Sequence, residues 1–169
     1  MSNLAMPKVD RKLIARKVEV ANDLKKIIKN ENILYDEDET RPFETDALSA
    51  YKQKPLIVAF PENTKEVSKI LSYCNQHRIK VVPRGAGTGL SGGALPMADS
   101  VLLCLGKFNK IIDIDYRNRC VVAQPGVTNL SITQAVQDKG FYYAPDPSSQ
   151  IACSIGGNVA ENSGGVHSL

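Results

Sequence analysis

Apolar residues recur every three or four positions near the start of the chain, at Ile14, Val18, Ala21, Leu24 and Ile28, with lysines between them. That period is one face of an amphipathic helix and predicts a surface helix over residues 10–30. Asp10 suits its N-cap, because a short carboxylate can accept from the free amides of a first turn. Residues 36–45 are acidic, contain Pro42 and follow neither period, so they read as a connection. The pattern changes at residue 56. A continuous apolar run of strand length spans 56–60 and stops at Pro61. Asn63 and Glu66 have capping-box spacing, and Val67, Ile70, Leu71 and Cys74 form a helical stripe that closes near His77. Val81 and Val82 open another strand, which Pro83 is expected to end. Strand, helix and strand at this spacing predict a parallel pair with a right-handed crossover.

Short apolar runs over 101–105, 110–115 and 120–124 predict three further strands. A second helix is expected over 129–139, with Leu130, Ala135 and Val136 as its apolar face and Gly140 as its stop. From residue 145 onward Gly, Ser, Asn and Pro dominate, and no long periodic element is visible. Such a stretch is either disordered or held by something it wraps. The chain thus divides into an N-terminal helix with a connecting segment, residues 1–50, and a main domain, residues 51–169. The main domain is α+β, with a small βαβ unit followed by a mixed-sheet portion.

With 169 residues, 43% of them hydrophobic, the chain can bury the core of one domain. Aromatics make up only 6%, Trp is absent, and 21 basic residues nearly balance 18 acidic ones. That composition argues against a nucleic-acid partner and against binding to an anionic membrane. No apolar run nears the ~20 residues that span a bilayer, and residues 1–12 lack the charged-then-apolar order of a signal peptide. The expected location is the cytoplasm, with any membrane contact made through a partner. Cys74, Cys104, Cys120 and Cys153 form no C-x-x-C pair, and the first three lie in apolar runs. They read as buried free thiols, and no metal site is assigned.

The densest chemical signal is Pro83-Arg84-Gly85-Ala86-Gly87-Thr88-Gly89-Leu90-Ser91-Gly92-Gly93, directly after a strand. Repeated glycines let backbone approach a ligand, and their exposed N–H groups form an anion-binding concavity. Thr88 and Ser91 add hydroxyl donors and Arg84 adds fixed positive charge, so a pyrophosphate is the chemistry this loop suits. A glycine-rich turn without a ligand needs far fewer glycines. Residues 87–92 also match G-x-G-x-x-G, with Asp113 placed like a ribose carboxylate. That nicotinamide reading fails on context, since Pro96 and the strand near 101 leave no room for the helix such a loop must open. A second group of small and polar residues surrounds Pro145, Asp146, Ser149, Cys153, Ser154, Gly156, Gly157 and Asn158 and continues to Gly165. Alone it fits a mobile terminus as well as a ligand wall; beside the glycine loop, the ligand wall is the better reading. A non-catalytic interaction module is the competing class.

The segments PRGAGTGLSGG (83–93), PGV (125–127), YYAPDPSSQ (142–150) and SIGGNVAENSGG (154–165), with RPFETDALSAY (41–51) upstream, closely resemble the glycolate-oxidase-like members of the FAD-linked oxidase family. The resemblance implies a p-cresol methylhydroxylase-type FAD-binding fold, incomplete at the C-terminus, whose later strands and substrate cap lie past Leu169. It implies that Arg84, Gly85, Ala86, Gly87, Thr88, Gly89, Leu90 and Ser91 cradle the FAD pyrophosphate. Pro145, Asp146 and Ser149 would lie along the flavin, and Cys153, Ser154, Gly156, Gly157 and Asn158 would contact the cofactor. FAD is expected to be non-covalent, because Thr88 stands near the place where covalent relatives often carry a His. The implied reaction is hydride transfer from the α-carbon of a 2-hydroxy acid to FAD, with glycolate as the leading substrate and D-lactate or another D-2-hydroxy acid as the alternative. Other oxidase subunits, including an iron-sulfur subunit, are implied partners, and through them a peripheral place on the inner membrane. No catalytic residue is assigned within the chain; His77 reads as a solvated helix-end residue and His167 is given no role. The 169 residues alone are expected to fold poorly and not to turn over.

Overall fold

The computed structural model describes residues 8–167. Residues 1–7, on which part of the signal-peptide reading rests, and 168–169 lie outside the described residues. The helix expected over 10–30 is two helices, α1 (Arg11–Ala15) and α2 (Lys17–Leu24). Asp10 caps α1 as expected, its side chain accepting from Lys12 N and Leu13 N. Arg16 breaks the helix at φ −93° and ψ 10°. The buried face is also different from the expected one. Leu13, Val20, Ala21, Leu24 and Ile28 are buried, whereas Ile14 and Val18 are exposed. The true stripe runs 13, 20, 24, 28, and Lys17 interrupts it, which hid its phase.

Residues 36–45 are not a bare connection. They hold α3 (Glu37–Thr40), closed by an Asp36–Glu39 capping box, and a 3-10 turn, Arg41–Phe43. Four strands form the first sheet: β1 (Ile33–Leu34), β2 (Ile57–Ala59), β3 (Lys80–Arg84) and β4 (Ser100–Cys104), in the order β1-β2-β4-β3. Helix α4 (Thr64–Gln76) joins β2 to β3, and Asn63 caps it by accepting from Glu66 N. The expected neighbour relationship is corrected here. β2 and β3 both run parallel to β4, but β4 lies between them, so they do not pair with each other. Pro83 does not end its strand; it stays in register opposite Leu103, and Arg84 continues the pairing with Cys104.

Alternate residues of the central strands face opposite layers. Ile57, Ala59, Val101 and Leu103 pack with Val20, Leu24 and Ile70, while Val58, Val82, Leu102 and Cys104 pack with Leu34, Phe43, Phe60 and Met97. Strands covered on both faces read as unbroken apolar runs, which is why 56–60 and 101–105 were visible in the sequence. In the α4 stripe Ile70 and Cys74 are buried, and Leu71 is exposed.

The second sheet is an antiparallel ribbon of β5 (Ile111–Asp115) and β6 (Cys120–Ala123), with an irregularity between Ile111 and Asp113. Cys120 is exposed, contrary to the expectation, because it begins a two-stranded ribbon and not a covered strand. The other three thiols are free and buried, and burial pushes Cys74 up to about 11 and Cys104 up to about 12. Helix α5 (Asn129–Val136) follows, then a 3-10 turn and Gly140 in the left-handed region at φ 76°. Its buried positions are Asn129, Ile132 and Val136, and Ala135 points to solvent. The described part of the tail contains α6 (Ile155–Glu161), which its two glycines concealed.

Candidate functional site

Strand β3 delivers the glycine loop at the end where β2, β3 and β4 all finish. No helix or strand occurs between β3 and β4, which removes the nicotinamide-type geometry as expected. Gly87 and Gly92 both have φ +75°, where a side chain would be strained. The loop is pinned at both ends. Leu105 N donates to Arg84 O at 2.9 Å, Ala47 N donates to Gly87 O at 3.0 Å, and Leu95 N donates to Gly92 O at 3.2 Å. The Arg84 side chain turns back on the protein. Its Nη1 donates to Thr45 O at 2.8 Å and to Ala94 O at 3.4 Å, and the guanidinium lies 5.8 Å from the Phe43 ring centre.

The opposite wall is α6 and the turn before it. Ser154 caps α6, accepting from Gly157 N at 3.4 Å, and Asn162 ends it in the left-handed region. Ile155 N and Gly156 N donate to Val127 O and Pro125 O, both at 2.8 Å, so the first amides of α6 are held by the 125–127 turn. Close approach explains two glycines here. A Cβ on Gly85 would lie 2.2 Å from Ser154 Oγ, and one on Gly156 would lie 2.6 Å from Pro125 Cβ. At the far end of α6, Ser91 Oγ donates to Glu161 Oε2 at 3.0 Å.

These walls enclose a cleft of about 420 Å³. Arg84, Gly85, Ala86, Gly87, Thr88 and Gly89 line it on the loop side, and Ser149, Cys153, Ser154, Gly156, Gly157 and Asn158 on the other. Four residues named from the sequence do not line it. Leu90 is 71% exposed and Ser91 is turned to Glu161. Pro145 O accepts from Asn129 Nδ2 at 2.9 Å. Asp146 is engaged by the end of the tail: His167 N donates to Oδ1 at 3.1 Å, and His167 Nδ1 lies 2.7 Å from Oδ2. The backbone amide and imidazole of His167 hold the Asp146 carboxyl below the usual range. His77, as expected, caps the end of α4 and is exposed, with its ring 4.3 Å from that of Tyr73.

Pro83, Gly93, Pro125, Ala160, Glu161 and Ser163 also line the cleft; they lie in the motifs read from the sequence but were given no cofactor contact of their own, whereas Ala94 and Leu105 were missed. Glu161 had a signal: a carboxylate amid the small residues of the tail. Asn158 supplies the sharpest chemical clue. It is 7% exposed, and its Nδ2 has no hydrogen-bond partner. A buried amide donor without an acceptor costs about 1–3 kcal/mol, so a cleft that leaves one bare suits a ligand with acceptor oxygens or nitrogens. A roomier groove of about 560 Å³ lies between the β5–β6 ribbon and α5, lined by Ile114, Tyr116, Val136, Phe141 and Tyr142 among others. Its lining is largely aliphatic and aromatic, and it lacks the run of loop glycines that lines the cradle. Among the described residues, no three His, Cys, Asp or Glu side chains gather as a metal site, and no helix is long and apolar enough to cross a membrane.

Residues 55–169 match the family described as FAD binding domain. The chain is 52% identical over 165 residues to the glycolate oxidase subunit GlcD of Escherichia coli strain K12, covering 98% of this chain and 32% of that protein. It is 38% identical over 142 residues to the probable mitochondrial D-2-hydroxyglutarate dehydrogenase of Oryza sativa subsp. indica, covering 84% of this chain and 25% of the relative. Among solved structures, p-cresol methylhydroxylase with substrate bound superposes with a TM-score of 0.75 at 21% identity, over 89% of this chain and 30% of that one. The chain therefore spans about a quarter to a third of the length of these relatives. The shared fold is the p-cresol methylhydroxylase-type FAD-binding fold, as the sequence motifs implied.

Proposed function

Because the chain belongs to the FAD binding domain family, we propose that its glycine-lined cleft holds the diphosphate part of FAD, and that the intact protein is a flavin-dependent 2-hydroxy-acid oxidoreductase. The observation that carries this reading is the convergence of residues 84–89 with Ser149, Cys153, Ser154, Gly156, Gly157 and Asn158 in one cleft, together with a buried Asn158 amide that has no partner within the protein. The loop backbone between Gly85 and Gly89 supplies close-range N–H donors, and Thr88 adds a hydroxyl. Ser149, Cys153, Ser154, Gly156 and Gly157 form a wall of small side chains that lets a flat ligand lie against backbone. Pro145, Asp146, Leu90 and Ser91 do not line this cleft, and their place beside the cofactor rests on the family motifs alone. When bound, FAD supplies the hydride-accepting chemistry, and the chain's own residues bind it, orient it and keep water from it.

No His stands in the 83–93 loop, which supports a non-covalent cofactor. Relatives named for glycolate and for D-2-hydroxyglutarate support a small 2-hydroxy acid as substrate, with glycolate first and D-lactate or another D-2-hydroxy acid second. A relative named as an oxidase subunit supports assembly with other subunits; that an iron-sulfur subunit is among them, and that the protein sits in the cytoplasm or peripherally on the inner membrane, is proposed from the family resemblance alone. The decisive experiment is to purify the intact protein, record its visible spectrum and precipitate it with acid. Flavin absorbance that moves to the supernatant is expected. A colourless protein that stays colourless with added FAD would sink the cofactor assignment, and colour left in the pellet would sink the non-covalent one. Steady-state reduction by glycolate, D-lactate and D-2-hydroxyglutarate then ranks the substrates, and reduction by none of them would remove the 2-hydroxy-acid assignment.

A further inference from the structure

We propose that Arg84 is a positioning residue that clamps the segment 43–48 onto the glycine loop, and that it serves the cofactor through this clamp instead of by direct contact of its charge with the diphosphate. The proposal rests on the FAD reading for its ligand, but its geometry stands without it. The segment lies ahead of residues 55–169, the part that matches the family. It nevertheless meets the loop at several points. Arg84 Nη1 donates to Thr45 O at 2.8 Å and, across the loop, to Ala94 O at 3.4 Å. Ala47 N donates to Gly87 O at 3.0 Å. Leu48 packs against Gly92, where an added Cβ would lie 3.5 Å from Leu48 Cδ2. The guanidinium also covers the Phe43 ring, 5.8 Å from its centre.

One planar side chain therefore ties three pieces of backbone: the start of the loop, its return at Ala94, and the segment outside. A guanidinium suits this task because its donors are fixed in a fork, whereas an ammonium is a point charge on a flexible stem. The guanidinium is also packed hard against the loop, since a Cβ on Gly87 would come within 2.3 Å of Nη2. The segment is closed on itself as well. Thr45 Oγ1 donates to Tyr51 O at 3.0 Å, and Leu48 N donates to Asp46 Oδ1 at 2.9 Å. Loosening the clamp frees Gly87 O from Ala47 and lets the loop amides scatter.

The test compares wild type, Arg84→Lys and Arg84→Ala in the intact protein. Hydrogen exchange over residues 44–51 is measured without ligand, and FAD affinity is measured across ionic strength. A clamp predicts faster exchange at Ala47 in both variants before any FAD is added. It also predicts that Arg84→Lys binds FAD as poorly as Arg84→Ala, roughly tenfold below wild type, with the same ionic-strength dependence in all three proteins. Unchanged exchange in ligand-free Arg84→Lys together with near-wild-type FAD affinity would overturn the clamp and make Arg84 a charge contact. The Lys variant keeps charge and much of the bulk, so it decides the matter even if Arg84→Ala does not fold. Should wild type itself take up no FAD, the proposed function fails, and the clamp is judged on ligand-free exchange alone.

Discussion

Gly85 and Ser154 touch so closely that a single added carbon cannot fit between them: a Cβ on Gly85 would lie 2.2 Å from Ser154 Oγ. The contact joins the glycine loop to the cap of α6, which are far apart in sequence, and both residues line the cleft. Gly85→Ala must push the Ser154 hydroxyl away from Gly157 N, and loss of an N-cap costs about 1 kcal/mol. The expected result is a destabilisation of about that size in wild type. In a Ser154→Gly background, where the hydroxyl is gone and the cap itself costs only about a few tenths of a kcal/mol to lose, the same Gly85→Ala change becomes nearly neutral. Denaturant unfolding of the four proteins of this cycle measures the coupling; equal penalties in both backgrounds would show that the two residues do not oppose each other.

Much of this arrangement was legible in the residues, and the rest was not for identifiable reasons. The unbroken apolar runs announced β2 and β4 because both faces of those strands are buried. Their order was hidden, since nothing local distinguishes a strand that pairs with its predecessor from one that admits β4 between them. Most of the residues that line the cleft lie where glycines accumulate, because close backbone approach demands them. Leu105 and Ala94 escaped because each is an ordinary apolar residue by sequence; only folding brings them to the cleft. The side chain of Arg84 illustrates the same limit. Its position in the loop was clear, but its bond to Thr45 O depends on a segment 39 residues upstream.

Asp99 ties the N-terminal helices to the sheet, and it makes stability depend on pH. Its Oδ2 accepts from Lys80 Nζ at 2.7 Å and from Asp10 N at 2.9 Å, while Oδ1 has no partner. Burial alone would raise this carboxyl, but the bonds from Lys80 and the Asp10 amide outweigh it and hold the pKa below the ordinary value. A depressed folded pKa stabilises the native state above the unfolded value of about 3.9. That stabilisation is lost as pH falls through the lower folded value. Asp99→Asn should therefore lower stability by about 2 kcal/mol at neutral pH, the size of a hydrogen bond to a charged group. The gap between variant and wild type should close as pH drops below about 4. Urea midpoints recorded from pH 7 downward give the comparison, and a gap that stays constant with pH would exclude this carboxylate as the source.

Asn158 separates the demands of folding from those of binding. The side chain is 7% exposed, its Nδ2 has no partner, and it lines the cleft opposite the glycine loop. Without a ligand, that bare amide is a liability of about 1–3 kcal/mol. Leucine has a similar shape and needs no acceptor, so Asn158→Leu should leave the ligand-free protein as stable as wild type or more stable. A ligand with an acceptor opposite Nδ2 reverses the balance, because the leucine then leaves that acceptor without its donor. FAD affinity should fall roughly tenfold, in line with one lost hydrogen bond. The extra stability that saturating FAD gives wild type should shrink by the same factor in binding constant. Melting curves with and without FAD read both effects in one experiment. A variant that loses stability without ligand while keeping its FAD affinity would show that Asn158 is a packing residue and that the bare amide does not face the cofactor.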